Sequence, residues 1–246
     1  MSSQILSHPT TVVGPRHPMV GRRACTACLS NRDLYRGAYG ESASLSHCHP
    51  VARTRTKSPR ASIEQGSQTS LLKLMNKTFF ARDTRRVAKD LLGMEIIRKV
   101  GSRMIRAVII ETEAYKGFSD KASHASRGKT QRNAPMFDEP GTLYVYLIYG
   151  MYWCLNIVTE RKDYPAAVLI RGIKLLPSGE LISGPGRVCR ALKITGALSG
   201  KSIFDKHSCL ALGGRTAKSV RFVRAPRIGV DYAGVWARKP WRYLIE

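Results

Sequence analysis

A mixed α+β domain with a mainly antiparallel sheet is the fold class this sequence predicts, on three observations. Short runs rich in β-branched and aromatic residues recur after residue 94. Two pairs of these runs are joined by links of only a few residues, which suit hairpins and cannot hold a crossover helix. Apolar residues at helical spacing appear in only two short segments. No internal repeat, P-loop or dinucleotide-binding glycine pattern accompanies them.

The elements follow in chain order. Residues 1–74 are rich in Ser, Arg, His and Pro, keep no helical or strand period, and read as a disordered basic extension. Their poverty in acids (Asp33, Glu41 and Glu64) resembles an organelle transit peptide, although no sustained amphipathic helix supports that; the alternative is a true start at Met75. Cys25 and Cys28, with His47, Cys48 and His49, are zinc-ligand types, but their spacing fits no standard finger. Residues 75–246 then form the expected folded domain. Asp83-Thr84 caps a helix whose apolar positions Val87, Ala88, Leu91 and Leu92 end at Gly93. Strands over 95–100 and 103–113 flank Gly101-Ser102, and strands over 143–148 and 153–158 flank Tyr149-Gly150-Met151-Tyr152. A strand over 166–171 follows. Ser183-Gly184-Pro185 opens a helix running through Leu192, with Pro185 placed where its missing N–H costs nothing. Weaker strands are predicted at 208–212, 220–223 and 242–245.

The charge narrows the function. Lys and Arg number 41 against 17 Asp and Glu, a net charge of +24, and residues 75–246 alone carry 31 against 14, or +17. An excess of that size on the folded part points to a polyanionic partner, nucleic acid first. A membrane span is not expected, because the most apolar run, Leu143 to Val158, is 16 residues long and is interrupted by Gly150 and Asn156. Cys154, Cys189 and Cys209 sit singly among apolar neighbours, as buried thiols do, and a reducing compartment is expected.

Three places carry potential chemistry. Glu111, Glu113 and Tyr115 end the apolar strand Val108-Ile109-Ile110, and period-two geometry puts them on one face. A carboxylate leaving a buried strand needs a cationic partner or a task such as activating water; a plain ion pair at a strand end explains it equally well. His124 lies in the polar basic stretch 123–133, expected to be a loop that meets a phosphate backbone or presents its ring to a ligand. Four of the ten tyrosines fall between Tyr144 and Tyr152. Tyr144 and Tyr146 share a strand face, either as core or as a platform on which bases stack, and Tyr149 is at a hairpin tip, where a wedge between base pairs would use it.

In order and spacing, Glu111-Thr112-Glu113-Ala114-Tyr115, His124, Arg132-Asn133, Met136-Phe137, Pro140 through Met151, Asn156, Val168-Leu169-Ile170-Arg171 and Ser183-Gly184-Pro185 resemble the alkyladenine (3-methyladenine) DNA glycosylase family. The resemblance extends from about Phe79 to Ile245. It implies a single domain around a curved antiparallel sheet, a monomer acting on damaged duplex DNA inside the cell, and no metal or organic cofactor. It implies Glu113 as the base that activates water, Arg171 as its orienting partner, and Tyr115 and Tyr146 as walls around a flipped purine with His124 beside it. Asn156 would exclude the guanine amino group, Tyr149 would fill the gap in the duplex, and Met151, Arg132, Leu169 and Ser183 would line the pocket or touch DNA. The family usually has a longer, helix-containing segment where this chain has only 172–182. Two other functions suit such a fold: a non-catalytic nucleic-acid-binding module, and an acyl- or formyl-transfer enzyme, for which no nucleotide or folate site is evident.

Overall fold

The computed structural model describes residues 76–205, 207–216 and 219–246. The readings made on residues 1–74, including the Cys/His cluster, lie outside the described residues. Two short helices come first, α1 (Lys77–Phe80) and α2 (Thr84–Asp90). Asp83 caps α2 as its sequence signal predicts, accepting the Arg85 and Arg86 backbone N–H groups. Among the described residues nine strands follow: β1 (Met94–Val100), β2 (Arg103–Lys116), β3 (Leu143–Ile148), β4 (Tyr152–Val158), β5 (Ala166–Leu176), β6 (Leu181–Ser183), β7 (Leu210–Arg215), β8 (Phe222–Ala225) and β9 (Arg242–Ile245). Helix α3 (Pro185–Ala191) sits between β6 and β7.

All the strand pairings are antiparallel. The main path runs β3-β4-β5-β2-β1-β7, with β6 on β5, and β9 joining β2 to β8. The predicted fold class is the observed one. Long antiparallel β2 and β5 form its spine, and Val87 of α2 and Val188 of α3, with Leu91 and Leu192 that directly follow these helices, pack into the same core as Ile96, Ile109, Leu155 and Ile170. Among the described residues, no helix is long and apolar enough to cross a membrane.

Several boundaries differ from the expectation, and tertiary pairing explains them. Strand β2 continues to Lys116 because Lys116 still pairs with Ala166 of β5. Strand β5 continues past Arg171 because 172–174 pair with β6, so 172–182 form a tight hairpin. Strand β7 starts late, after Cys209, whose φ of 56° takes it out of extended conformation and leaves it exposed, so only Cys154 and Cys189 of the three expected buried thiols are buried. The stretch around His124 is a 3-10 helix (His124–Arg127), not an open loop, capped by the Ser123 hydroxyl. Asn133 holds it closed, donating to the carbonyls of His124 and Gly128.

Candidate active site

The site begins with an irregularity in the spine. Ile109 pairs with Ile173 and Thr112 with Ile170, but Glu111 alone faces Gly172, so Ile110 and Arg171 are each an unpaired extra residue. Such paired bulges change which face successive side chains take. Ala107 and Ile109 enter the main core, and so does Ala114, an odd number of positions further along. The switch releases Glu111, Glu113 and Tyr115 to the opposite face. Gly172 permits it, since a Cβ there would lie 2.8 Å from the Glu111 Cβ and 3.1 Å from its Oε2. Gly172→Ala is therefore expected to displace Glu111 and to lower the melting temperature, which thermal unfolding of the variant measures.

On that face the charges form a ladder. Glu111 accepts from Arg171 Nε at 2.9 Å and from Arg242 Nη1 at 3.0 Å. Arg171 Nε lies 3.5 Å from Glu113 Oε1, so the arginine serves both carboxylates and binds Glu111 more closely. Glu113 is fully buried. The Tyr115 hydroxyl donates to its Oε2 at 2.7 Å, and the Ile228 backbone N–H donates to its Oε1 at 3.1 Å. Burial pushes the Glu113 carboxyl above the usual glutamate range, and Tyr115, Arg171 and Ile228 only partly offset it.

In front of this carboxyl opens a cavity of about 1050 Å³. Tyr115, His124, Tyr146, Asn156, Leu169 and Arg171 line it, while Glu113 lies one hydrogen bond behind its wall. His124 Nδ1 is 3.0 Å from the Tyr144 hydroxyl, and its ring meets Tyr146 edge-on with centroids 4.5 Å apart. Although His124 is exposed as a residue, desolvation of the ring, together with the Arg132 charge, holds its pKa below the usual value, which favours the neutral imidazole. Tyr144 is core, 1% exposed, and Tyr146 is the partly open ring of the pair. Asn156 is buried and fixed by donation to the Tyr144 carbonyl at 3.1 Å.

The rim is the β3–β4 hairpin. Tyr149 is 80% exposed at φ 53°, a left-handed conformation that costs a tyrosine about 1–3 kcal/mol. Met151 is exposed beside it. Arg132 donates to the Leu147 carbonyl at 2.7 Å and lies over the Tyr146 ring. Ser183 is placed elsewhere: exposed on β6, it lies outside the cavity lining, and its hydroxyl is 3.5 Å from Glu111 Oε2.

Sequence reasoning missed the segment that closes the site from behind. Arg227, 4% exposed, forms a two-pronged pair with buried Asp120 at 2.6 and 2.9 Å, and also donates to the carbonyls of Ala114 and Trp236. Its guanidinium stacks 4.8 Å from the Tyr115 ring centroid. Ile228 is the next residue, so this buried pair fixes the backbone N–H that reaches Glu113. An arginine amid Pro226 and Ile228 was the available signal, but nothing local marks it as buried.

The profile of the family described as "Methylpurine-DNA glycosylase (MPG)" matches residues 78–246. Three similar proteins carry the name "Putative 3-methyladenine DNA glycosylase". One, from Methanocella arvoryzae, is 46% identical over 184 residues, covering 69% of this chain and 91% of the relative. Another, from Anaeromyxobacter sp. strain Fw109-5, is 42% identical over 69% of this chain and 88% of its own length. The third, from Sodalis glossinidius, is 44% identical over 69% of this chain and 95% of its own. With the family profile running from α1 through β9 across the whole bulged spine and its cavity, the chain belongs to the methylpurine-DNA glycosylase family.

Proposed function

We propose that residues 75–246 are a base-excision repair domain that removes alkylated or deaminated purines from duplex DNA by monofunctional hydrolysis. The observation that carries this reading is the buried Glu113 carboxyl beside Arg171, directly behind an aromatic cavity. An N-glycosidic bond inside a duplex is out of reach of water until the nucleotide is flipped, at a cost of a few kcal/mol that is smallest for a damaged, weakly paired base. Tyr149, exposed at the hairpin tip, fills the vacated stack. Tyr115, Tyr146 and His124 receive the purine, and an electron-poor alkylated ring gains most from such aromatic faces. Rigid Asn156 crowds the position of a guanine amino group.

Glu113 then takes the proton of the water that attacks C1′, and the base leaves on the other side of the sugar. Each Glu113 oxygen keeps a second acceptor site beyond the Tyr115 or Ile228 bond. Because the carboxyl is covered in the free protein, water gains access when the arriving nucleotide displaces the Tyr115 hydroxyl or the 228 backbone; catalytic contacts commonly form only in the complex. Lys116, which ends β2, is ion-paired with Asp83 and Glu160 and not turned to Glu113, so the strand end offers the sugar no amine for a Schiff base and the expected product is an intact strand with an abasic site.

A duplex carrying one hypoxanthine or ethenoadenine, treated with alkali after incubation, tests the proposal. Cleavage at the lesion only after alkali is expected. Cleavage before alkali, or a borohydride-trapped adduct, contradicts monofunctional chemistry, and no cleavage at all favours a binding module. Affinity for the duplex is also expected to fall steeply with added salt, as several Lys and Arg side chains release counterions, and a flat response would count against backbone contact.

A further inference from the structure

The face of the sheet turned away from Glu113 carries a second cleft that the excision chemistry leaves unused. It has a volume of about 440 Å³ and is lined by Arg85, Arg86 and Lys89 of α2, by Arg224, and by Trp241 and Tyr243, with Asp83 its one acid. Strand register fixes its side of the sheet. Thr112 bonds the Ala88 carbonyl of α2, so it faces that helix while its neighbours Glu111 and Glu113 face the cavity. Tyr243 pairs with Thr112, and Arg224 pairs with Tyr243. Cross-strand partners share a face, which places both beneath α2.

The charges there are unevenly satisfied. Asp83 is already engaged by Arg85 and Lys116. Burial alone would push its carboxyl up, yet these two cations hold it well below the usual range, so it stays ionised and occupied. Arg86 and Arg224, both exposed, and half-buried Lys89 have no side-chain hydrogen bond or ion pair among the described residues. Tyr243 is 3% exposed as a residue and lines the cleft, and its hydroxyl has no hydrogen-bond partner among the described residues. An unpartnered hydroxyl on an otherwise buried tyrosine, opening on a cleft rimmed by three cations that no protein acceptor engages, is an arrangement that an oxyanion completes.

We propose that this cleft is a phosphate-binding site, separate from the lesion cavity, in which Arg86, Lys89 and Arg224 supply charge and Tyr243 a hydrogen bond to a phosphoryl oxygen. Two sources offer that chemistry, a backbone phosphodiester of a second stretch of nucleic acid and a free phosphorylated molecule. The site stands independently of the excision reading.

Inorganic pyrophosphate is the probe, titrated into the full chain and followed by calorimetry and by the rise in melting temperature that binding to the folded state produces. Wild type is expected to bind; Arg86→Glu/Arg224→Glu is expected to lose binding, and Tyr243→Phe to weaken it about tenfold, the effect of one hydrogen bond to a charged ligand. Lys99→Glu/Arg103→Glu, an equal charge change at the exposed ends of β1 and β2, is expected to bind as wild type does. Unchanged binding in Arg86→Glu/Arg224→Glu, or equal losses in both double variants, overturns the site. Tyr243→Phe removes a single oxygen and serves if the charge reversal fails to fold; wild-type affinity in that variant also overturns the assignment of its hydroxyl. Displacement of pyrophosphate by undamaged duplex upholds the site with a phosphodiester as its ligand, and persistence in saturating duplex upholds it with a free phosphoryl group.

Discussion

Glu113→Gln is expected to cut single-turnover excision by roughly 10²–10⁴-fold, the usual contribution of a positioned general base, while damaged-duplex affinity changes little. The same substitution is expected to raise the melting temperature at neutral pH. Burial lifts the Glu113 carboxyl above its ordinary range in the folded state, so ionising it opposes folding. By linkage, the protein keeps its full stability below the ordinary glutamate range and loses some of it as pH rises through the lifted value. The neutral amide escapes that loss and can still accept from the Ile228 N–H. The difference in melting temperature between variant and wild type is therefore expected to be small in acid and to widen toward neutral pH. On the proposed mechanism excision needs the ionised form, so wild-type excision is expected to fall on acidification at a pH above the ordinary glutamate range, and the residual rate of the variant to lack that limb. Wild-type excision by the variant would remove Glu113 from the chemistry; a lower melting temperature at neutral pH would remove the claim that its charge is held against its environment.

The parts of the protein visible in the sequence are those set by local rules. The Asp83 cap, the Gly101-Ser102 turn and the Pro185 helix start each depend on a few adjacent residues, and each appears where the sequence places it. The common face of Glu111, Glu113 and Tyr115 was legible for the same reason. What escaped is decided by pairing across the sheet. Nothing in 107–114 announces that an extra residue at Ile110 changes the face of all that follows; only Gly172, sixty positions on, and its approach to Glu111 explain why the strand tolerates it. The division of Arg171 between two carboxylates follows from that bulge and not from spacing. The 226–230 segment was the least legible, because its role comes from Asp120, more than a hundred residues earlier.

Arg227→Met is expected to be the most destabilising single change on this face, costing roughly 3–5 kcal/mol because it strands the buried Asp120 charge. For a domain of this size that is a fall of roughly 6–20 °C in melting temperature. Asp120→Leu combined with Arg227→Met is expected to cost less than Arg227→Met alone, since an apolar pair leaves no buried charge without a partner, and urea unfolding of the cycle measures the difference. A structural role for the pair would stop there. A role in aligning the site goes further: Arg227 supports the Tyr115 ring and holds the chain that carries the Ile228 N–H, two of the groups that lower the Glu113 pKa against its burial. Loosening them is expected to move the acid limb of excision to higher pH even in the double variant, at temperatures where it remains folded. An acid limb at the wild-type position in a folded Arg227 variant would confine the pair to stability, because then neither the tyrosine nor the backbone N–H depends on it for its place beside the carboxyl.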